Sequence, residues 1–213
     1  LTPDGPVCNC AHSDMTVFSF HPVKPITTAE GGIVTTNDDE LASRMRRFRS
    51  HGIDRTRREN AWEYDAVEVG YNYRLTDLQS ALGASQIRRL DEFVLRRNEI
   101  ADRYRVLLAD LPLVLPPEAP AGWRHGYHLF AVRVPERATV FRRLREEGIG
   151  VQVHYVPVHH HTVSSDIEVP PGGFPVTEAV YAGLISLPMF VGLTDEEQDV
   201  VAQTLGRILA EVT

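Results

Sequence analysis

Apolar and polar positions along this chain change period several times, and each change predicts an element. "MTVFSF" (Met15 to Phe20) is a run of β-branched and aromatic residues and predicts a buried strand. "GGIVTT" (Gly31 to Thr36) predicts a second, short one. The period then lengthens. Asn37 and Asp38 offer N-caps to "ELASRMRRFRS", an amphipathic helix that Gly52 is placed to end. Residues 53 to 75 are polar and irregular and predict a loop. Thr76-Asp77-Leu78-Gln79 is a capping box, in which the threonine and the glutamine each satisfy the other's free backbone N–H. Leu78, Leu82, Ile87, Leu90, Val94, Ile100, Tyr104 and Leu108 follow at helical spacing, which predicts one long helix bent near Asp91 to Phe93.

The prolines of "LPLVLPPEAPAGW" stop that helix and place a domain boundary, giving residues 1–110 and 111–213. Beyond it, "YHLFAVRV" predicts a strand, "RATVFRRLREEG" a helix and "IGVQVHYVPV" a strand. A polar loop from His159 to Pro175 leads to a helical piece near "VTEAVYAGL". Thr194-Asp195-Glu196-Glu197 is a second capping box and opens a final amphipathic helix. Strand and helix alternating in this way describe a compact two-layer α/β domain.

Composition narrows the classes of function. Apolar content of 43% and charged content of 24% are those of an ordinary globular protein. A net charge of −7 argues against a general binder of nucleic acid or anionic membrane, while leaving room for small phosphorylated ligands at a local positive site. There is no apolar run of about 18 residues and no signal-peptide pattern, so no membrane partner is expected. Cys8 and Cys10 are the only cysteines and make no disulfide scaffold, so a reducing cytoplasm is the expected compartment. His159-His160-His161 invites a metal reading. Adjacent imidazoles diverge, however, and no acidic or cysteine partner stands at ligand spacing, so no metal site is expected.

The segment "SFHPVKPITTAEGG" carries the candidate chemistry. Pro22 and Pro25 stiffen the backbone on both sides of Lys24, which suits a side chain that must point at one spot. A nucleophilic lysine must lose its proton, and desolvation on leaving a buried strand favours that loss. A surface lysine in a proline-rich turn is the alternative, and local sequence leaves both open. Arg44, Arg46, Arg47, Arg49, Arg55, Arg57 and Arg58 form a basic stretch able to meet phosphate, or simply a solvated face.

Ser19 to Lys24, followed by Thr28-Ala29-Glu30-Gly31-Gly32, resembles the lysine motif of the DegT family of aminotransferases. "RSHGI" (Arg49 to Ile53), "GYNYRLTDLQSALGASQIRRLDEF" (Gly70 to Phe93), "GIGVQVHYVPVH" (Gly148 to His159) and "LISLPMFVGLTDEEQDVV" (Leu184 to Val201) follow in family order. The resemblance implies a pyridoxal 5'-phosphate enzyme of the aspartate-aminotransferase fold (fold type I) acting on nucleotide-linked keto sugars. The chain would be the end of the large cofactor domain followed by a small two-layer α/β domain. Lys24 matches the lysine that holds the cofactor as a Schiff base and then acts as general base between the sugar C4 and the cofactor. Ser19 matches the serine on the cofactor phosphate, and Asn72 an asparagine reaching the phosphate of a neighbouring subunit, which implies a homodimer with shared active sites. Arg74 is a candidate for the substrate's phosphates, and His154, Tyr155 and His159 for substrate contacts.

Within the family the wording "SDMTVFSFHPVKPITTAEGG" is closest to the subgroup that makes UDP-4-amino-4,6-dideoxy-N-acetyl-β-L-altrosamine, a step toward pseudaminic acid. Glutamate is the amino donor the family implies, and perosamine-type enzymes carry a similar lysine motif. Such an enzyme also needs a carboxylate on the pyridine nitrogen and a backbone cradle for the phosphate, supplied by sequence before the lysine strand. "LTPDGPVCNCAHSD" lacks an initiator methionine and Asp4 and Asp14 are poor substitutes, so the expectation is a chain that begins partway through a domain. A catalytically inactive binding or oligomerisation module is the competing expectation.

Overall fold

The computed structural model describes residues 2–56 and 58–212. The chain divides into two compact units, one built from residues up to Asp91 with Pro120–Arg124, the other from Glu92–Ala119 and from His125 onward. The expected boundary at residues 110/111 groups the second half of the long helix with the first unit, whereas by contacts that half belongs to the second.

In the first unit, β1 (Thr16–Ser19) and β2 (Gly32–Thr35) pair antiparallel, with Phe18 opposite Ile33. Helix α1 (Asp39–Phe48) starts where Asp38 accepts the Leu41 N–H at 2.9 Å, with Asp39 and Glu40 in its first turn and Arg46 and Arg47 in its last, matching the helix dipole. It ends at Phe48, short of Gly52, because the chain already turns at Ser50 and takes left-handed angles at His51 and Gly52. The predicted loop holds a two-residue ladder, β3 (Ile53–Asp54) with β4 (Asp65–Ala66). Helix α2 (Asp77–Ile87) opens with the predicted capping box: Thr76 Oγ1 accepts from Gln79 N–H at 3.2 Å and Gln79 Oε1 accepts from Thr76 N–H at 2.9 Å.

Two expectations are corrected here. The long helix is two helices, α2 and α3 (Leu90–Leu107), parted at Arg88 and Arg89, where the Arg89 N–H bonds the Gln86 carbonyl in a tightened turn. The strand expected to be buried is not: Val17 is 71% exposed. An isolated two-stranded ribbon has two faces, and among the described residues no layer closes over the one that carries Val17.

The second unit is a two-layer α/β arrangement. β5 (Phe130–Arg133) pairs antiparallel with β6 (Leu184–Leu187), and single bridges at Val114 and Gln152 continue the sheet on either side. Residues 149–158, predicted as a strand, contribute only the Gln152 bridge, and "LISL" takes the central place instead. The physical reason is local. The Val153 N–H is taken by the Gln152 side chain at 2.9 Å, and Pro157 has no N–H, so no ladder can extend. Helices α4 (Arg137–Glu146), α5 (Pro175–Gly183) and α6 (Asp195–Val212) complete the unit.

Ile100 and Tyr104 of α3, Leu108 just after it, Phe130 and Val132 of β5, Val140 and Leu144 of α4, and Leu205, Ile208 and Leu209 of α6 form one core, every one of them sealed from solvent. The hydrophobic transfer of these side chains, about 1.5–3 kcal/mol each, is what holds this unit together. Two polar side chains inside it bond backbone carbonyls. Tyr104 donates to the Pro188 carbonyl at 3.1 Å, and burial pushes its hydroxyl pKa far up. Arg97 is only 4% exposed and donates to the carbonyls of Tyr127 at 2.9 Å and Met189 at 3.1 Å, tying α3 to the chain around both strands. Among the described residues no helix is long and apolar enough to cross a membrane.

Candidate functional site

Lys24 sits half-buried on the turn that follows β1, its N–H bonded to the His21 carbonyl at 3.0 Å. Thr28 pins the turn. Its N–H reaches the Phe20 carbonyl at 3.0 Å, its hydroxyl donates to the Glu30 carbonyl at 2.7 Å, and it is 1% exposed. Gln79 of α2 donates to the same Glu30 carbonyl at 3.0 Å. Gly31 makes this closure possible: at φ +146 a Cβ would stand 2.5 Å from Thr28 Oγ1 and 2.6 Å from Leu75 Cδ2. The proline pair thus belongs to a loop held at both ends, and the lysine is presented from it. Ser19, at the end of β1, is exposed and its Oγ accepts the His21 N–H at 3.3 Å.

Asn72 and Arg74 are brought together by the period of an extended chain. Tyr71 and Tyr73 fall on one side, stacked with ring centroids 4.9 Å apart and edged by Phe48. Asn72 and Arg74 fall on the other, where Arg74 Nε donates to Asn72 Oδ1 at 3.2 Å and its guanidinium approaches His51 Nε2 at 3.5 Å. The segment is fastened to the end of α1 by Tyr71 N–H on the Phe48 carbonyl and Tyr73 N–H on the Arg49 carbonyl. Gly52 explains the glycine of "RSHGI": at φ +70 a Cβ there would lie 1.8 Å from the Glu68 carbonyl oxygen. Of the basic stretch, Arg47 is committed to Glu68 at 3.0 Å. Arg46 and Arg49 line a groove of 790 Å³ with Val17, Ile33 and Met45, and Arg57 lies outside the described residues.

His154, Tyr155 and His159 belong to the second unit. His154 Nδ1 meets the buried Ser186 hydroxyl of β6 at 2.9 Å, Tyr155 is exposed, and His159 bonds Glu178 of α5 at 2.5 Å. His160 bonds the same Glu178 oxygen at 2.8 Å. The expectation that adjacent histidines diverge and lack an acidic partner therefore fails. In the short helical turn Val158–His160 both rings reach one carboxylate, which arrives from a helix 18 residues along the chain. Those hydrogen bonds, the His159 one first, hold the Glu178 carboxyl below the usual range.

The profile of the DegT/DnrJ/EryC1/StrS aminotransferase family matches residues 4–206. The chain belongs to that family. Among curated proteins it is 34% identical over 209 residues to the spore coat polysaccharide biosynthesis protein SpsC of Bacillus subtilis, covering 92% of this chain and 54% of that protein. Among solved structures it resembles a putative sugar aminotransferase from Streptococcus pneumoniae in its PMP form (TM-score 0.89, 29% identity, 96% of this chain and 55% of that one). It also resembles Helicobacter pylori PseC, an aminotransferase involved in pseudaminic acid biosynthesis (TM-score 0.84, 32% identity, 93% and 54%). The chain spans about half the length of the relatives it matches.

Family membership gives the donor set its chemical sense. The streptococcal relative is also solved in a PLP form. An amine on a pinned turn, a hydroxyl and an amide are what an aldehyde-bearing phosphate ester requires. The Ser19 hydroxyl proton and the Asn72 amide nitrogen remain donors once the bonds above are made. Lys24, Ser19 and Asn72 are donors of the chemical type that such a group takes at its aldehyde and phosphate ends. Asp4, expected to be a poor partner for a ring nitrogen, faces His12 at 3.3 Å. Local sequence missed Glu178, His51 and Ser186, and for these no short-range signal exists. Each meets its partner across a turn or from another element.

Proposed function

We propose that this chain carries the cofactor-binding lysine and the small domain of a pyridoxal-phosphate-dependent sugar-nucleotide aminotransferase of fold type I. The reaction is transfer of an amino group, with glutamate as donor, to C4 of a UDP-linked 4-keto-6-deoxy sugar, in pseudaminic-acid-type biosynthesis in the cytoplasm. The observation that carries this is Lys24 on a loop closed by Thr28 and Gly31, with Ser19 at the strand end just before it.

When bound, pyridoxal phosphate supplies an electron sink for charge developing at the substrate carbon. The chain's own residues do the rest. The Ser19 hydroxyl and the Asn72 amide hold the phosphate, Asn72 serving the neighbouring subunit of a homodimer. The Lys24 amine would hold the cofactor at its aldehyde carbon and, as a free amine, would move a proton at the sugar C4. Arg74 offers a guanidinium fork to the nucleotide phosphates, and His154, Tyr155 and His159 contact the sugar or its phosphates.

Adding pyridoxal phosphate to the purified chain tests the anchor. An absorbance band at ~410–430 nm from the lysine-bound cofactor, absent in Lys24→Ala, is the expected result. A folded chain with no band favours the second reading, a binding or oligomerisation module, which the exposed apolar residues of the first unit support. A panel of UDP- and GDP-linked 4-keto sugars turned over by the enzyme containing this chain tests the substrate. Preference for a GDP-linked perosamine precursor would overturn the altrosamine assignment.

A further inference from the structure

We propose that His159, His160 and Glu178 form a binding site for one divalent transition-metal ion of the zinc type, with His159, a candidate substrate contact in the aminotransferase reading, serving here as a metal ligand. The three donor atoms lie within 4.8 Å of one another. Both Nε2 atoms already point at a single oxygen, Glu178 Oε1, at 2.5 and 2.8 Å. A metal–nitrogen bond is about 2.0–2.1 Å and tetrahedral ligands then stand about 3.3 Å apart, so an ion seated among the three requires the donors to open by roughly 0.5–0.8 Å.

The site is built by helix periodicity. Phe174, Glu178 and Tyr181 stand at i−4, i and i+3 around the first turns of α5 and so share one face. The two aromatic rings brace the two imidazoles beside the carboxylate: His159 packs on Phe174 with centroids 4.5 Å apart, and His160 meets Tyr181 edge-on at 5.6 Å. The histidines brace each other at 4.6 Å. Ring orientation is thus set by packing before any ion arrives, and the His159 side chain is only 17% exposed.

Ligand type decides the ion. Two imidazoles and one carboxylate suit zinc and its neighbours, whereas magnesium and calcium ask for six or more oxygens. Three protein ligands leave a tetrahedral ion one open position. Nε2 binds the ion only through its lone pair, so any proton it shares with Glu178 Oε1 must be lost to solvent or taken up at Nδ1.

Zinc chloride titrated into the 213-residue chain, carrying Cys8→Ser and Cys10→Ser, tests the assignment. One ion per chain is the expected stoichiometry, with visible d–d bands when cobalt replaces zinc. Glu178→Gln and the exposed His160→Asn each weaken binding at least tenfold, while His161→Asn, outside the cluster, leaves it unchanged. Acidification releases the ion, because protons compete for imidazole nitrogen. Far-UV circular dichroism of each variant separates lost binding from lost fold, and His160→Asn, at an exposed ring, is the variant on which the test rests if Glu178→Gln unfolds. No bound ion, an equal loss in His161→Asn, or affinity indifferent to both Glu178→Gln and His160→Asn would overturn the site and leave a hydrogen-bonded His/Glu cluster only.

Discussion

The two units of this chain obey the same local rules and end with opposite interiors. The second encloses Tyr104, Phe130, Leu144 and Leu205 completely. The first, among its described residues, buries only Ile26, Thr28 and Gly52, and leaves Val17, Trp62, Val69 and Leu78 in solvent. Caps, turns and hairpin registers are as well formed in one as in the other. What differs is whether the chain supplies both surfaces of a contact. Apolar positions such as Val17 and Leu78 mark where the first unit presents a surface to be covered. Its few buried residues cluster around the lysine turn and the "RSHGI" turn, the two places where motif residues meet.

Emptying the well-packed interior tests this contrast most severely. Leu205→Ala in α6 is expected to cost the second unit about 3 kcal/mol, read by urea denaturation. Hydrogen exchange should rise across α3 and α6 and stay unchanged at β1 and β2, and equal loss in both would show that the units do not unfold separately. Gly31→Ala attacks the first unit instead. The added methyl meets Thr28 Oγ1 at a backbone angle that disfavours any side chain, at a cost of about 2 kcal/mol. The expected readout is faster proteolysis at residues 21–31 with the second core intact.

A smaller effect comes from charge. The hydrogen bond that Arg103 Nη2 donates to Asp199 Oδ2, at 3.0 Å, holds that carboxyl below the ordinary aspartate range. A depressed folded-state pKa adds stability above the unfolded value and loses it as pH falls through the folded one. The second unit should therefore weaken on acidification below that range, and Asp199→Asn should flatten the profile in acid denaturation followed by circular dichroism. The smallest change is expected from Val17→Thr, within about 0.5 kcal/mol, because the side chain has little to lose. A larger loss in thermal unfolding would mean that this face is covered in solution, and the comparison of the two units would need redrawing.

What could be read locally was read well for a definite reason. The boxes at Thr76/Gln79 and Thr194/Glu197 and the cap at Asp38 close within three residues, so the sequence around them contains the whole interaction. The lysine turn is similar, since Phe20, Thr28 and Glu30 are near neighbours. The misreadings share the opposite property. "IGVQVHYVPV" has strand-like alternation, but how much of it joins a sheet depends on its register against β6, where Gln152 alone bridges Ser186. The run at Met15 to Phe20 has the composition of a buried strand, but burial needs a second surface.

From its sequence alone this protein's capped helix starts at Asp38, Thr76 and Thr194, its stiff lysine turn and its family were already determined. Each rests on residues a few positions apart or on motifs standing in order. Only the tertiary structure decided which apolar runs are enclosed, and that Glu178 gathers His159 across 19 positions while Ser186 meets His154 across 32. Burial and ligand convergence are properties of two surfaces meeting, and no single stretch of chain contains both.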